Sequence, residues 1–142
     1  MADTAAHLVD RVFPLVPVRQ WVLSVPYALR YRLAYDSDLV TAVLQIFIRA
    51  LFGFYRLMAR DYGIGRTQCG AVTFVQRFGS SANVHVHFHV VCIDGVYAPR
   101  LDGTPEFFPL RPPDDAEVRV LVGVVADRVT ALSIGGISDP CR

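Results

Sequence analysis

The sequence predicts a single α+β domain in which helices cover one face of an antiparallel sheet. Two strand-like segments, residues 69–78 and 84–93, follow each other along the chain with only a short loop between them, which favours antiparallel pairing. Helical segments lie before and after this pair instead of alternating with parallel strands. A chain of 142 residues is long enough for one core of this kind.

Local signals place the elements of the N-terminal half. Prolines separate them, because a proline ring breaks a helix interior but fits the first turn of a helix. An apolar stripe with three-four spacing predicts the longest helix, with Ser37 or Asp38 as its N-cap and Gly63 at its end. The predicted elements are a helix over 4–12, a strand over 19–25, a helix over 27–35 and a helix over 38–62.

The C-terminal half begins with the two strands named above. Asp94-Gly95 is a two-residue turn signal of the type I′ kind, and it predicts a hairpin in which 96–98 return along the second strand. Residues 101–113 are predicted to form a loop or an irregular hairpin, and a helix then runs to about Leu132. The domain would therefore span residues 1–133, and 134–142 would form an irregular tail.

Composition excludes several classes of protein. The net charge is +1, from 14 basic and 13 acidic residues, so overall charge gives no argument for a nucleic-acid partner, although arginines outnumber acids between residues 19 and 66. Three cysteines without a C-x-x-C pair exclude a four-cysteine zinc site and a disulfide framework. Arginines interrupt the apolar stretch 39–58, so no membrane-spanning helix is expected.

Three histidines in five residues form the sharpest chemical signal. Side chains alternate across a strand, so His85, His87 and His89 share one face and the intervening Val86 and Phe88 share the other. Imidazoles at this spacing, ~6.5–7 Å along the strand, can tilt onto one divalent ion. Imidazole suits Mn, Zn, Ni or Fe, whereas Mg prefers oxygen. The alternative is a polar strand face that happens to use histidine. Candidates for a third ligand are Gln76, Asp94 and Glu106.

Two further patterns carry weaker signals. Tyr27, Tyr31 and Tyr35 line one face of the predicted helix over 27–35, which favours an amphipathic stripe beside two arginines over a pair of nucleophiles. The loop after Gln76 and Arg77 could present Arg77 and backbone N–H groups to a phosphate, but residue chemistry favours a plain hairpin connection between the strands. Cys69 and Cys92 fall in predicted strands and are expected to be small core residues.

Several segments resemble the two-tyrosine HUH transposases of rolling-circle insertion sequences. In that family two histidines flank one bulky hydrophobic residue, as His87-Phe88-His89 do here. The resemblance covers about residues 3–120. The segments that carry it are Gly70–Tyr97, Val16–Asp36, the long helix as far as Ile64, and Pro112-Pro113-Asp114-Asp115-Ala116-Glu117-Val118.

This resemblance implies an HUH-endonuclease-like fold, similar to that of relaxases and rolling-circle replication initiators. His87 and His89 match the histidine pair that binds a divalent metal, Mg or Mn being the expected ion. His85 stands where the family typically has Asn, so it is a possible further ligand or an outer neighbour of the ion. On residue chemistry, and not from the resemblance, Gln76 is another possible ligand or outer neighbour and Arg77 is a candidate contact to DNA. In the family the metal polarises a phosphate of single-stranded DNA, which a tyrosine attacks to form a 5′-phosphotyrosine link.

The sequence departs from the family pattern at both ends. The catalytic tyrosines of the family follow the histidine pair at a distance, whereas Tyr97 is the only tyrosine after His89 here. The cysteine-rich zinc module that opens family members is also missing. We therefore expect a bacterial, cytoplasmic, incomplete HUH domain without catalytic residues, with single-stranded DNA and a full-length transposase as partners and no membrane. The alternative is a non-catalytic module that binds DNA or a transposase.

Overall fold

The computed structural model describes residues 14–78 and 84–135, so the predicted helix over 4–12, the loop at 79–83 and the tail from 136 lie outside the described residues. The described elements, in chain order, are β1 (Val18–Ser24), α1 (Tyr27–Tyr35), α2 (Ser37–Asp61), β2 (Ala71–Phe78), β3 (Val84–Ile93), β4 (Gly95–Pro99), β5 (Pro105–Pro109) and α3 (Asp115–Gly135).

The main sheet has three antiparallel strands in the order β1-β3-β2, so the histidine strand β3 is central. Val22 of β1 and Phe74 of β2 lie on either side of His89, and Ser24 and Gln76 lie on either side of His87. Directly opposed residues of antiparallel strands point to the same face. The register therefore surrounds the histidines with side chains of both neighbouring strands.

Helices cover the other face of this sheet. Phe88, Val86 and Val90 of β3 are fully buried, and they share one hydrophobic core with Val43, Phe47, Leu51, Tyr55 and Met58 of α2 and with Leu121, Val125 and Val129 of α3. The apolar stripe of α2 accordingly follows the predicted spacing. The α+β prediction, with an antiparallel sheet and helices on one face, is confirmed.

Helix α2 is the longest element of the described chain. By length and composition alone it is apolar enough to cross a membrane, and the predicted stripe along one side of it packs in the core. The prediction of its N-cap was wrong. Asp36, with extended backbone, accepts a hydrogen bond from Leu39 N over 2.9 Å, because the cap must stand one residue before the first helical residue. Gly63, at φ 73°, follows its end as predicted.

The predicted hairpin at Asp94-Gly95 is also wrong. β4 does not return along β3; it pairs with β5 in a separate two-stranded sheet, through an irregular hairpin of the kind expected for 101–113. The Asp94 carboxylate receives two bonds from Arg19, at 2.9 and 2.6 Å, and one from Tyr55 at 3.2 Å. These distant partners direct the chain out of the main sheet instead of into a tight turn.

Gly95 is needed for a close approach and not for a turn. A Cβ at this position would collide with the Phe108 backbone oxygen and would lie 2.7 Å from the Phe107 ring. At the end of the chain, α3 begins after a reciprocal pair of caps between Asp114 and Glu117. This helix ends at Gly135, three residues later than the sequence predicted.

Candidate metal-binding face of the central strand

The histidines lie on the open face of the main sheet. Strand alternation puts His85, His87 and His89 on that face, all partly exposed, while Val86 and Phe88 between them are fully buried. The ring centroids of His85 and His87 are 3.9 Å apart, and those of His87 and His89 are 6.2 Å apart. The alternation predicted from the sequence is therefore confirmed, and the three imidazoles are neighbours.

Two side chains of β1 orient these imidazoles. Ser24 Oγ and His87 Nδ1 share a hydrogen bond of 2.9 Å, and Gln20 Nε2 lies 2.9 Å from His89 Nδ1. When the partner oxygen accepts the Nδ1 proton, the lone pair is on Nε2, the usual arrangement around a ligating histidine. A serine hydroxyl can accept that proton, and a 180° turn of the Gln20 carboxamide places its oxygen toward Nδ1.

Sequence reasoning missed Gln20 and Ser24. Both are polar positions that alternate with inward-facing Trp21 and Leu23 in β1. That alternation marks them as residues of an outer face. Only the pairing of β1 with β3 shows that this face is the one with the histidines.

His85 is in direct contact with His87. His87 Nε2 and His85 Nδ1 are hydrogen-bonded, so the same nitrogen that would bind a metal is engaged by a neighbouring ring. The pKa of His87 lies below that of an ordinary histidine, chiefly because desolvation disfavours the charged ring, and further because of His85, His89 and Arg30. His87 is therefore neutral at pH 7, the form that binds metals.

The structure separates the three candidates for a third ligand. Gln76 is paired opposite His87 on β2, so it belongs to the histidine face. The Asp94 carboxylate, beyond the end of β3, is engaged by Arg19 and Tyr55. Glu106 lies in the second sheet and forms an ion pair with Arg100 at 2.9 Å.

His87 and His89 are thus the nitrogen ligands that the described residues offer to a metal ion. Across 14–78 and 84–135, no group of three His, Cys, Asp or Glu side chains is arranged to hold an ion. Imidazole nitrogens fit a divalent ion that accepts nitrogen ligands. Its remaining ligands would then come from Gln76, from water or from the substrate.

The histidine face is free of acidic side chains over its described part. The residues that share it are Val18, Gln20, Val22, Ser24, Val72, Phe74, Gln76, His85, His87, His89 and Val91. Arg30 lies near enough to His87 for its charge to act on that ring, and Arg77 follows Gln76 on β2. Arg30 Nε donates to Val25 O over 3.0 Å, and Arg77, exposed at the end of β2, donates from Nη1 to Ala34 O over 3.5 Å. An anionic partner can approach this face without meeting a carboxylate.

Cys69 and Cys92 have no part in this face. Cys92 is buried on the core side of β3, and desolvation raises its pKa to about 12. Cys69 precedes β2 instead of lying in it, which corrects the predicted strand, and its partial burial raises its pKa as well. Thiols of this kind are unreactive packing groups.

Comparison with known proteins agrees with the fold and with the histidine segment. Residues 70–107, which include β2, β3 and β4, match a family described as "Putative transposase". The structure is similar to that of the conjugative relaxase TrwC in complex with oriT DNA in a copper-bound form, with 17% sequence identity and a TM-score of 0.52. The similarity covers 82% of this chain and 42% of the relaxase chain. No curated protein matches the sequence.

These comparisons bear on the fold and on one segment of the chain. The α+β fold with its antiparallel sheet is similar to the HUH fold of the relaxase TrwC. The segment that contains His87 and His89 is similar to a family of putative transposases. The resemblance to HUH transposases and relaxases inferred from the sequence is confirmed.

Proposed function

We propose that this chain is the metal-binding part of a transposase that nicks and joins single-stranded DNA, and that His87 and His89 hold its divalent ion. The observation that carries the proposal is the anchoring of both Nδ1 atoms by Ser24 and Gln20 on a face without acids. A bound ion would supply Lewis-acid polarisation of the scissile phosphate. Mg or Mn follows from the family resemblance, and the imidazole donors favour Mn over Mg.

The residues of this chain position the donors. The buried Phe88 fixes β3 against the core, and this directs His87 and His89 outward at a constant spacing. Ser24 and Gln20 hold the rings of His87 and His89 through their Nδ1 atoms, and His85 would have to release Nε2 of His87 when an ion arrives. Arg77 contributes positive charge at the end of β2, where a phosphate backbone could contact it.

The proposed DNA partner follows from the same face. The similar relaxase was solved in complex with DNA, and its fold supports DNA as the partner of this chain. Single-stranded DNA is favoured because a tyrosine-dependent nicking reaction leaves a free strand to be held until it is joined.

We further propose that this chain by itself forms no covalent link to DNA. Its six tyrosines include Tyr27, Tyr31 and Tyr35 on α1 and only one, Tyr97, after the histidines. Tyr97 packs against Phe107 at 5.4 Å in the second sheet, and Tyr55 is buried with its pKa raised by desolvation. The nucleophile would then come from a full-length transposase. Incubation with Mn²⁺ and single-stranded DNA, followed by denaturing electrophoresis, should show no protein–DNA adduct.

Titration calorimetry with Mn²⁺ and Ni²⁺ tests the metal site. Wild type should bind, and His87→Ala and His89→Ala should each weaken binding at least tenfold, because each removes one of two protein donors. His85→Ala is the matched control: it removes a partly exposed imidazole from the same face but releases Nε2 of His87, so binding should be equal or tighter. Equal affinity for wild type and a His87→Ala/His89→Ala double variant would remove the site.

A second candidate function is favoured by apolar residues exposed on the helical side. Leu57 of α2 and Val120 and Val124 of α3 are 59%, 69% and 36% exposed, and they line a cleft of about 220 Å³ between the two helices. Such a surface suits a module that binds a transposase without catalysis. Size-exclusion chromatography with a full-length transposase tests this candidate: co-elution that survives His87→Ala/His89→Ala would support it, and separate elution would refute it.

A further inference from the structure

Helix α1 exposes a row of three tyrosines that the proposed metal site does not use. Tyr27, Tyr31 and Tyr35 are 84%, 69% and 73% exposed, while the buried residues of the helix are Leu33 and Ala34. The row is therefore not the buried stripe of an amphipathic helix, as the sequence suggested. Large aromatic rings kept in water at helical spacing indicate a binding surface.

The row begins at the edge of the histidine face. α1 starts three residues after Ser24, whose hydroxyl is bonded to His87, and Arg30 of α1 is near enough for its charge to influence His87. With a rise of 1.5 Å per residue, consecutive tyrosines are about 6 Å apart and the row is about 12 Å long. A strand lying along α1 would thus lead directly to or from His87.

The charge of α1 is complementary to a phosphate backbone. The helix contains Arg30 and Arg32 and no acidic residue, and Arg77 of β2 reaches its C-terminal end through a bond to Ala34 O. The carboxylate of Asp36, the residue that follows α1, accepts the capping bond from Leu39 N. Aromatic rings beside arginines are the combination that binds single-stranded nucleic acid.

Two rings of the row contact each other and border an open cleft. Tyr31 and Tyr35 have centroids 5.0 Å apart with their planes tilted by 53°, so they are not stacked flat on each other. Together with Arg32 and Asp36 they line an open cleft of about 370 Å³. Spacing of about 6 Å along the helix exceeds the 3.4 Å between stacked bases of one B-DNA strand, so each ring would meet an unstacked base.

We propose that Tyr27, Tyr31 and Tyr35 form a stacking platform for the unpaired bases of single-stranded DNA, with Arg32 contacting the backbone beside them. The inference rests on the proposed function, since it assumes that the partner is single-stranded DNA, and it adds where the strand runs. Stacking on a row of rings is insensitive to base sequence, because every base has a π face.

Fluorescence anisotropy with a labelled oligothymidylate tests the platform. Tyr31→Ala and Tyr35→Ala should each weaken binding about fivefold to a hundredfold, as expected for loss of one stacked base. Tyr31→Phe, which keeps the ring, should bind like wild type. Tyr62→Ala is the matched control, because Tyr62 is 57% exposed at the far end of α2. Folding is not at risk, since alanine is the better helix former at exposed positions.

An abasic oligonucleotide of the same length separates stacking from charge. Wild type should bind it more weakly than oligothymidylate, and the difference between the two oligonucleotides should be smaller in Tyr31→Ala, which has lost one of the three rings. The salt dependence of binding should be unchanged in the tyrosine variants but reduced in Arg32→Ala, because counterion release follows the phosphate contacts.

The outcomes distinguish the two proposals. If Tyr31→Ala and Tyr35→Ala bind oligothymidylate as tightly as wild type does, the platform is overturned and the proposed function stands. Wild type that binds no single-stranded DNA would overturn the DNA partner and the platform together. Loss of self-association in Tyr31→Ala, measured by sedimentation velocity with DNA binding unchanged, would assign the row to a contact between copies of the chain and also overturn the platform.

Discussion

Replacing Phe88 by alanine should cost more stability than any single change on the opposite side of β3. Phe88 is fully buried between Leu23 of β1 and Val75 of β2, and a buried Phe→Ala change costs about 3–5 kcal/mol. At about 0.05–0.15 kcal/mol per residue, a chain of 142 residues has roughly 7–21 kcal/mol in total. Phe88→Ala should therefore remove a large fraction of the free energy of unfolding.

Urea denaturation provides the assay for this prediction, because the chain has one tryptophan, Trp21, which packs at the edge of Phe54 and Tyr55. The tryptophan signal and circular dichroism should change together, with the midpoint lowered, the slope unchanged and a melting temperature lower by roughly 10–15 °C. His87→Ala, one residue away, should change the free energy of unfolding by about 1 kcal/mol or less. Equal losses in the two variants would contradict the assignment of inner and outer faces.

Three further perturbations follow from contacts in the described residues. Gly95→Ala should destabilise the protein by about 1–3 kcal/mol, because the new methyl group collides with Phe108. Gly123→Ala lies in open space within α3 and should stabilise the protein by about 0.5–1 kcal/mol. Urea midpoints of the two variants check this, and equal shifts would contradict it. Burial raises the pKa of Cys92 to about 12, so this thiol should react with iodoacetamide at pH 8 only as fast as the protein unfolds. Rapid modification of Cys92 in the native protein, detected by mass spectrometry, would contradict this. The bond to Arg111 lowers the pKa of Glu117 to about 2. Glu117 therefore contributes stability above its unfolded pKa of about 4.5, and this contribution is lost as the pH falls toward 2. The stability difference between wild type and Glu117→Gln should be present at pH 6 and vanish over that range, and a difference independent of pH would refute the linkage.

The histidines of the proposed metal site come from one strand, whereas the side chains that orient them come from a distant part of the sequence. The histidines are contributed by one strand, so their spacing depends only on backbone geometry. Their partners Gln20 and Ser24 are 69 and 63 residues away from His89 and His87. The segment similar to transposases, 70–107, contains the histidines but not these partners. The orientation of the imidazoles is therefore a property of the sheet and not of the motif.

The sequence by itself determined most of the helices and strands and, for β3 and α2, which side faces the core. Strand alternation placed His87 outward and Phe88 inward, and the three-four stripe of α2 identified its buried side before any contact was known. These inferences succeed because the periods of 2 and 3.6 residues are set by covalent geometry within one element.

Tertiary structure decided everything that joins one element to another. Asp94-Gly95 carries a strong local turn signal, yet the bonds from Arg19 and Tyr55, 75 and 39 residues away, override it. The same applies to the outward tyrosine row of α1 and to the pairing of Ser24 with His87. Such contacts depend on strand order and register, which are set by the burial of the whole core and leave no periodic trace in a single segment.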